Sequence, residues 1–141
     1  MAHSGIWWFK LDLDVFRDTK VRDLVEAHGA EGAGAWLAVM VEMHAAINDG
    51  VAFVPAERLV ESVAFDLHIS RRKARNLVNS LADVGLIDRE MWDDGKAANE
   101  RVAERYEAYR RKCEIAEIAR SARLSQTGGG DAEVPSGKLS V

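Results

Sequence analysis

Arg72, Arg75, Asn76 and Asn79 fall in the run SRRKARNLVNSLADVGLIDR, residues 70–89. They carry the side chains whose paired donors and acceptors match guanine and adenine edges in a DNA major groove. Arg also neutralises phosphate, and Arg71 and Lys73 add charge beside them. Such groups act together only if one surface holds them. The run supplies that surface as a helix: Ser70 can accept the N–H bonds left open at a helix start, and Gly85 can take the left-handed conformation that ends one. Ala74, Leu77, Val78 and Leu81 recur at helical spacing as an apolar stripe. At about 100° per residue the Arg and Asn side chains project away from that stripe, with Asp83 at the far end. This is the pattern of a DNA-recognition helix. A solvated amphipathic helix shares it, and these residues alone leave both readings open.

The surrounding sequence supplies a frame for that helix. Val51–Val54 is long enough for one short strand before Pro55, which suits the first position of a helix containing Leu59, Val60, Val63 and Leu67 at helical spacing. That helix ends near His68, and Ile69 and Ser70 form a tight joint, so residues 55–84 read as helix, short turn, helix. After Gly85, LIDREMW is expected as a strand, Asp93-Asp94-Gly95 as a hairpin turn, and KAAN as a returning strand. Such a hairpin is a wing. Arg89 and Lys96 are its phosphate-reaching residues, but Asp93 and Asp94 at its tip oppose a backbone contact.

Upstream, the aromatic-rich IWWFKLDL, residues 6–13, is expected to be extended and packed on the core. Asp14 or Asp18 can cap a helix with Val21, Leu24, Val25 and His28 on its apolar face, stopped by Gly29. A second helix is expected from about Glu31 to Asn48, with Ala33, Trp36, Leu37, Met40, Val41, His44 and Ile47 on one side. Gly32 and Gly34 lower helix propensity in its first turn, which fits a close approach by another backbone. Asn48-Asp49-Gly50 is a turn signal.

From Glu100 to about Leu124 the chain reads as one long helix, about 37 Å at 1.5 Å per residue. Val102, Tyr106, Tyr109, Cys113 and Ala116 follow the spacing of a short coiled-coil seam and are candidate oligomerisation residues, before Arg120 breaks it. Packing of the same helix on its own domain through Val102, Tyr106 and Tyr109 explains the spacing equally well. Ile115, Ile118, Ala119 and Ala122 form an offset second stripe. The expected organisation is a winged-helix domain over residues 1–99, the long helix over 100–124, and a disordered tail over 125–141. The fold class is mainly α with a small β-hairpin: a winged helix-turn-helix plus a long C-terminal helix.

Composition narrows the function. Residues 1–69 hold 11 acidic and 5 basic side chains, whereas residues 70–124 hold 10 acidic and 13 basic. The net charge of −4 argues against coating nucleic acid by bulk charge, but a basic face on an acidic body can still bind DNA with strong salt dependence. Seven of the eight Trp and Phe residues precede position 66, which places the expected bulky core in the first half. No apolar run approaches the roughly 20 residues that span a bilayer, and no signal segment opens the chain, so a cytoplasmic protein without membrane contact is expected. Cys113 is the only cysteine, excluding an intrachain disulfide and a cysteine-rich zinc site. Asp12 and Asp14 lack a third ligand at a supporting spacing, and capping and solvation explain them better than metal or acid-base chemistry. His3, His28, His44 and His68 form no i, i+4 ligand pair, and Gly29, Gly32 and Gly34 lack the Lys-Ser/Thr of a phosphate loop. The serines lack a His and acid arrangement for nucleophilic catalysis. The expectation is a non-enzymatic protein without cofactor or metal.

The segments WFKLDLDVFRDTKVRDLVEAHGAEGAGAWLAVMVEM, AFDLHISRRKARNLVNSLADVGLID and RVAERYEAYRRK resemble the amino-terminal domain family called Lin-like, found in phage and prophage proteins and similar to the winged-helix domain of DnaD-type replication initiators. The resemblance spans about residues 7–112. It rests on Trp8-Phe9, Asp12 and Asp14, Gly29-Ala30-Glu31-Gly32, Gly85-Leu86-Ile87 and Arg105-Tyr106 in combination. It implies a winged-helix fold and a role in phage replication initiation or helicase loading through DNA binding and self-association. Two departures stand out: Ala97, Ala98 and Asn99 replace the family's usual Leu-Thr-Ser stretch, and only a short tail follows the last helix.

The leading expectation is therefore a phage-derived protein that binds double-stranded DNA through Arg71, Arg72, Lys73, Arg75, Asn76 and Asn79, with Arg89 and Lys96 as flanking phosphate contacts. Arg72 and Asn76 are the candidates for base edges. Two alternatives stay open: a winged-helix scaffold that oligomerises and recruits replisome proteins without touching DNA, and a phage transcriptional regulator reading paired half-sites.

Overall fold

Local capping and helical periodicity set most of the elements, and a computed structural model describes residues 5–129 of them. The chain divides into two units, residues 1–106 and 107–141. In the first unit a 3-10 turn at Val15–Arg17 leads into α1, Thr19–His28. Asp18 caps α1, its carboxylate accepting from the N–H groups of Lys20 at 2.8 Å and Val21 at 3.3 Å. Gly29, at φ 65°, turns the chain into α2, Ala30–Asn48.

α2 packs against α1 and two later helices, α3, Ala56–Leu67, and α4, Arg71–Asp83. Because neighbours approach it from several directions, α2 buries Ala35, Ala38, Val39, Met43, Ala46 and Ile47, a broad band of mostly small side chains. The single face expected from the sequence is only partly the buried one: Leu37 and Val41 are exposed. The expected close approach occurs at Gly32, where a Cβ would stand 2.8 Å from the Leu24 carbonyl oxygen. Gly34 faces only ordinary van der Waals contact with Leu67.

Most of the bulky core lies in the first half, as expected, but its side chains are aliphatic and not the aromatic ones that suggested it. Leu24, Val39, Met43, Leu59, Val63, Leu77, Val78, Leu81 and Ile87 are fully buried or nearly so, whereas Trp7, Trp8, Phe16 and Phe65 are exposed. Residues 6–12 join no sheet or helix, and Leu13 lies in a turn. Their hold on the body is polar and aromatic: Ile6 donates its N–H to Asn48 Oδ1 and accepts from Asn48 Nδ2, both at 2.6 Å, and Phe9 stacks on His44 with ring centroids 4.3 Å apart.

The small antiparallel sheet pairs β1, Val54–Pro55, with β2, Lys96–Ala97, in the register Val54 with Ala97 and Pro55 with Lys96. The order β1, α3, α4, β2 is that of a winged helix. The hairpin itself is reduced. LIDREMW is not a strand: Asp88 accepts from Met91 N–H at 2.9 Å and starts a short helix, α5, Arg89–Asp93. One backbone bond, from Asp88 N–H to the Ala98 carbonyl at 2.7 Å, ties the two sides of the would-be wing. Burial of Trp92 explains the change, since a helical turn folds its indole inward where an alternating strand tip would leave it in solvent.

The replacement of Leu-Thr-Ser by Ala97, Ala98 and Asn99 does not abolish the returning strand. Ala97 is buried within it and Ala98 just after it, and Asn99 starts the last helix, α6, Glu100–Gly129, by accepting from Val102 N–H at 2.8 Å. The first residues of α6 belong to the first unit. Val102 is fully buried, and Tyr106 donates its hydroxyl to the Gly50 carbonyl at 3.1 Å. Arg105 donates to His44 Nε2 at 2.6 Å, while His44 Nδ1 lies 2.7 Å from the Met40 carbonyl and donates to it. Burial pushes the His44 pKa below its usual value, and the Arg105 charge lowers it further against the Met40 hydrogen bond.

In the second unit the side chains from Arg110 to Gln126 are all exposed, including Ile115, Ile118 and Leu124. Ion pairs along the helix link Arg110 with Glu107 and Glu114, and Arg120 with Glu117. α6 runs past the expected end at Leu124, so residues 125–129 are helical and not part of a tail. The rest of the expected tail, residues 130–141, and His3 lie outside the described residues.

Candidate nucleic-acid interface

α4 is held as its sequence predicts. Ser70 Oγ accepts from Lys73 N–H at 3.1 Å, Ala74, Leu77, Val78 and Leu81 are buried, and Gly85 leaves the helix at φ 85°. Lys20 on α1 adds a bond from its ammonium to the Gly85 carbonyl at 3.3 Å, placing a cation at the negative end of the helix. The outer face is thereby fixed relative to the core.

The cations on that face fall into two groups. Arg72 is exposed, as is Asn76 one turn on, and among the described residues neither side chain has a hydrogen-bonding or ionic partner. The others are already engaged by carboxylates from neighbouring helices. Arg75 donates to Glu57 at 2.5 Å, Arg71 lies 3.7 Å from both Glu57 and Glu61, and Lys73 lies 2.8 Å from Glu31. All of these side chains are substantially exposed, so each pair is weak on its own, about 0–1 kcal/mol.

Three other candidates stand apart from this face. Asn79 is half-buried, and its Oδ1 accepts from the Trp92 indole N–H at 2.6 Å, so its acceptor holds α5 against α4 and is not free for a base edge. Arg89 lies between Asp83, at 2.6 Å, and Asp93, at 2.9 Å, and the Asp93 hydrogen bond foremost raises its pKa above the ordinary value. Lys96 sits with its ammonium 5.0 Å from the centre of the Phe53 ring. Of the candidate seam residues, Val102 and Tyr106 are engaged within the first unit, while Tyr109 is half-exposed and Cys113 and Ala116 are exposed in the second.

Glu31, Glu57 and Glu61 were not foreseen as part of this surface. The last two carried a signal: Glu57 and Glu61 stand four apart on α3, as Arg71 and Arg75 do on α4, so two ladders of opposite charge meet across the helix-turn-helix.

A profile of the family described as Lin1244/Lin1753-like, N-terminal, matches residues 8–98. The chain belongs to this family. The Lin1244/Lin1753-like match thus takes in the body from Trp8 to Ala98, with α3, α4 and the reduced wing, and stops before α6, short of the Arg105-Tyr106 pair on which part of the resemblance rested. No match was found among curated proteins or among solved structures. Among the described residues no group of three or more His, Cys, Asp or Glu is placed to hold a metal ion, and no helix is long and apolar enough to cross a membrane.

Proposed function

We propose that this chain is a non-enzymatic, phage-derived, cytoplasmic module that binds double-stranded DNA through α4, in the replication-initiation role of the DnaD-type initiators it resembles. What carries this reading is the open edge of α4. Arg72 and Asn76, one helical turn apart and without partners, project from a helix that is capped, anchored in the core and preceded by a tight turn from α3. Arg with Asn is a pairing suited to guanine and adenine edges, and insertion of α4 into a major groove would bring Arg71, Lys73 and Arg75 to the flanking phosphates. Those cations reach phosphate by exchanging it for their exposed carboxylate partners, a swap the small value of surface ion pairs permits.

The test is a titration of labelled duplex DNA at two salt concentrations with wild type beside the Arg72→Ala/Arg75→Ala variant. Salt-sensitive binding that is lost in the folded variant is the expected result. Full affinity in the double variant would remove α4 from the interface.

A second reading is favoured by specific surfaces. Trp7, Trp8 and Leu13 are exposed in the first unit, and Ile115 and Ile118 in the second, as on a scaffold that meets a second copy or replisome proteins without touching DNA. A well-folded wild type that binds no duplex would favour it.

A further inference from the structure

The pairing of Glu57 with two α4 cations points to a role beyond joining helices. We infer that Glu57 is a specificity-determining residue: it occupies Arg71 and Arg75 in place of phosphate and so suppresses sequence-independent binding, leaving Arg72 and Asn76 to decide where the protein stays. This rests on the DNA-binding proposal above. Glu57 is exposed in the first turn of α3 and reaches both cations, Arg75 Nη2 with Oε2 at 2.5 Å and Arg71 Nη2 with Oε1 at 3.7 Å. A carboxylate so placed resembles a backbone phosphate in charge and in the guanidinium geometry it accepts.

The consequence follows from where non-specific affinity arises. Binding to any duplex sequence comes from cations that displace the counterions condensed on phosphates, each neutralised phosphate adding about 0.9 to the slope of log affinity against log salt. A cation that already holds a carboxylate contributes less, because the carboxylate must be released and then remains beside the phosphate as a like charge. Glu57 burdens two of the α4 cations in this way. Glu61 adds one contact at 3.7 Å to Arg71, and Glu31 one at 2.8 Å to Lys73. Arg72 and Asn76 carry no such burden. The arrangement therefore weakens phosphate binding while leaving base-edge donors open, which widens the ratio between a matched site and random DNA.

The experiment uses the full chain and a mixed-sequence duplex of about 30 base pairs, titrated across a salt series with wild type, Glu57→Gln and, as a charge-matched control away from α4, Glu26→Gln. Gln keeps the shape of the side chain and removes its charge. Glu57→Gln should bind the duplex about 3- to 10-fold more tightly at low salt, with a salt slope steeper by about 1 to 2, while Glu26→Gln changes affinity less than 2-fold. Thermal unfolding of Glu57→Gln close to wild type will show that the gain is not a folding effect. Equal affinity and slope for Glu57→Gln and wild type, with binding still lost in Arg72→Ala/Arg75→Ala, would overturn the restraint while leaving the DNA reading intact. Weaker binding by Glu57→Gln would also overturn it, making Glu57 a residue that positions the two arginines. No binding by any variant would overturn the DNA reading and the restraint with it.

Discussion

α4 and the short α5 beside it are both capped helices, yet they present opposite charge to solvent. α4 carries Arg71, Arg72, Lys73 and Arg75 against Asp83 alone, whereas residues 88–94 carry Asp88, Glu90, Asp93 and Asp94 against Arg89. The way each region treats its arginines differs as much as the count. Arg72 is left open, while Arg89 is gripped between two carboxylates. A winged helix whose wing also carried cations would hold a duplex from two sides. On the DNA-binding proposal, the acidic wing position here would repel a polyanion and confine contact to the first turns of α4. The Arg89–Asp83 ion pair joins the two regions at the surface, and so does one anchor that is both apolar and polar, the Trp92 indole, buried against the body with its N–H on Asn79.

Removing that anchor is the largest test of the contrast. Trp92→Ala should destabilise the protein by about 3–5 kcal/mol, through a cavity and an orphaned Asn79, as read from the midpoint of urea unfolding. A loss below about 1 kcal/mol would make α5 a surface appendage with no part in orienting α4. On the binding side, Arg72→Ala should weaken duplex affinity by about 1–3 kcal/mol, while Arg89→Ala leaves it unchanged, because Arg89 is already neutralised where it stands. Equal losses from the two substitutions would erase the distinction between the helices.

The helix-turn-helix was legible because its determinants are local. Ser70, the Ala74-Leu77-Val78-Leu81 stripe and Gly85 act within one helix, and periodicity reports them directly. The partners of its cations were not legible in the same way: Glu31 meets Lys73 only through the packing of α2 on α4, a tertiary fact. α5 was misread because LIDREMW is short and its apolar residues suit either a strand or one helical turn. The decisive sign was Asp88 as a cap, which competes with the strand period and wins because it buries Trp92. Val102 and Tyr106 show a different limit: the spacing that builds a coiled-coil seam also packs a helix on its own body, and only the contact with Gly50 and the full burial of Val102 separate the two. The tryptophans at 7 and 8 misled by type, since aromatic residues imply burial only where a complementary surface receives them.

Acidification should act on the body that carries both helices and not on the contrast between them. His44 is buried and neutral, with a folded pKa lowered from 6.5. As pH falls, the unfolded chain takes up the proton first, so the stability this group contributes is complete above pH 6.5 and is lost as pH drops towards the lowered value. Glu42 works in the opposite direction. Burial, with Asp66 beside it, raises its pKa above 4.5, so its contribution grows as pH falls through the raised value. Urea midpoints for wild type should therefore decline below pH 6.5, and His44→Gln should flatten that decline. An unchanged slope in the variant would remove His44 as its source.

The smallest expected effect separates two explanations of why the α5 side would repel a duplex. Asp93 and Asp94 are neighbours at the turn, but only Asp93 holds Arg89. If repulsion comes from the summed field of the carboxylates, Asp93→Asn and Asp94→Asn will raise duplex affinity equally, by about 0.5 kcal/mol at low salt, and the gain will vanish at high salt. If it comes from the capture of Arg89, Asp93→Asn will gain more, because it frees one side of that guanidinium while Asp83 keeps the other at 2.6 Å. The arrangement favours the second outcome. Two N–H groups of the Arg89 guanidinium meet Asp93, at 2.9 and 3.5 Å, against one on Asp83, so the charge most able to reach a phosphate from this region is the one that Asp93 holds back.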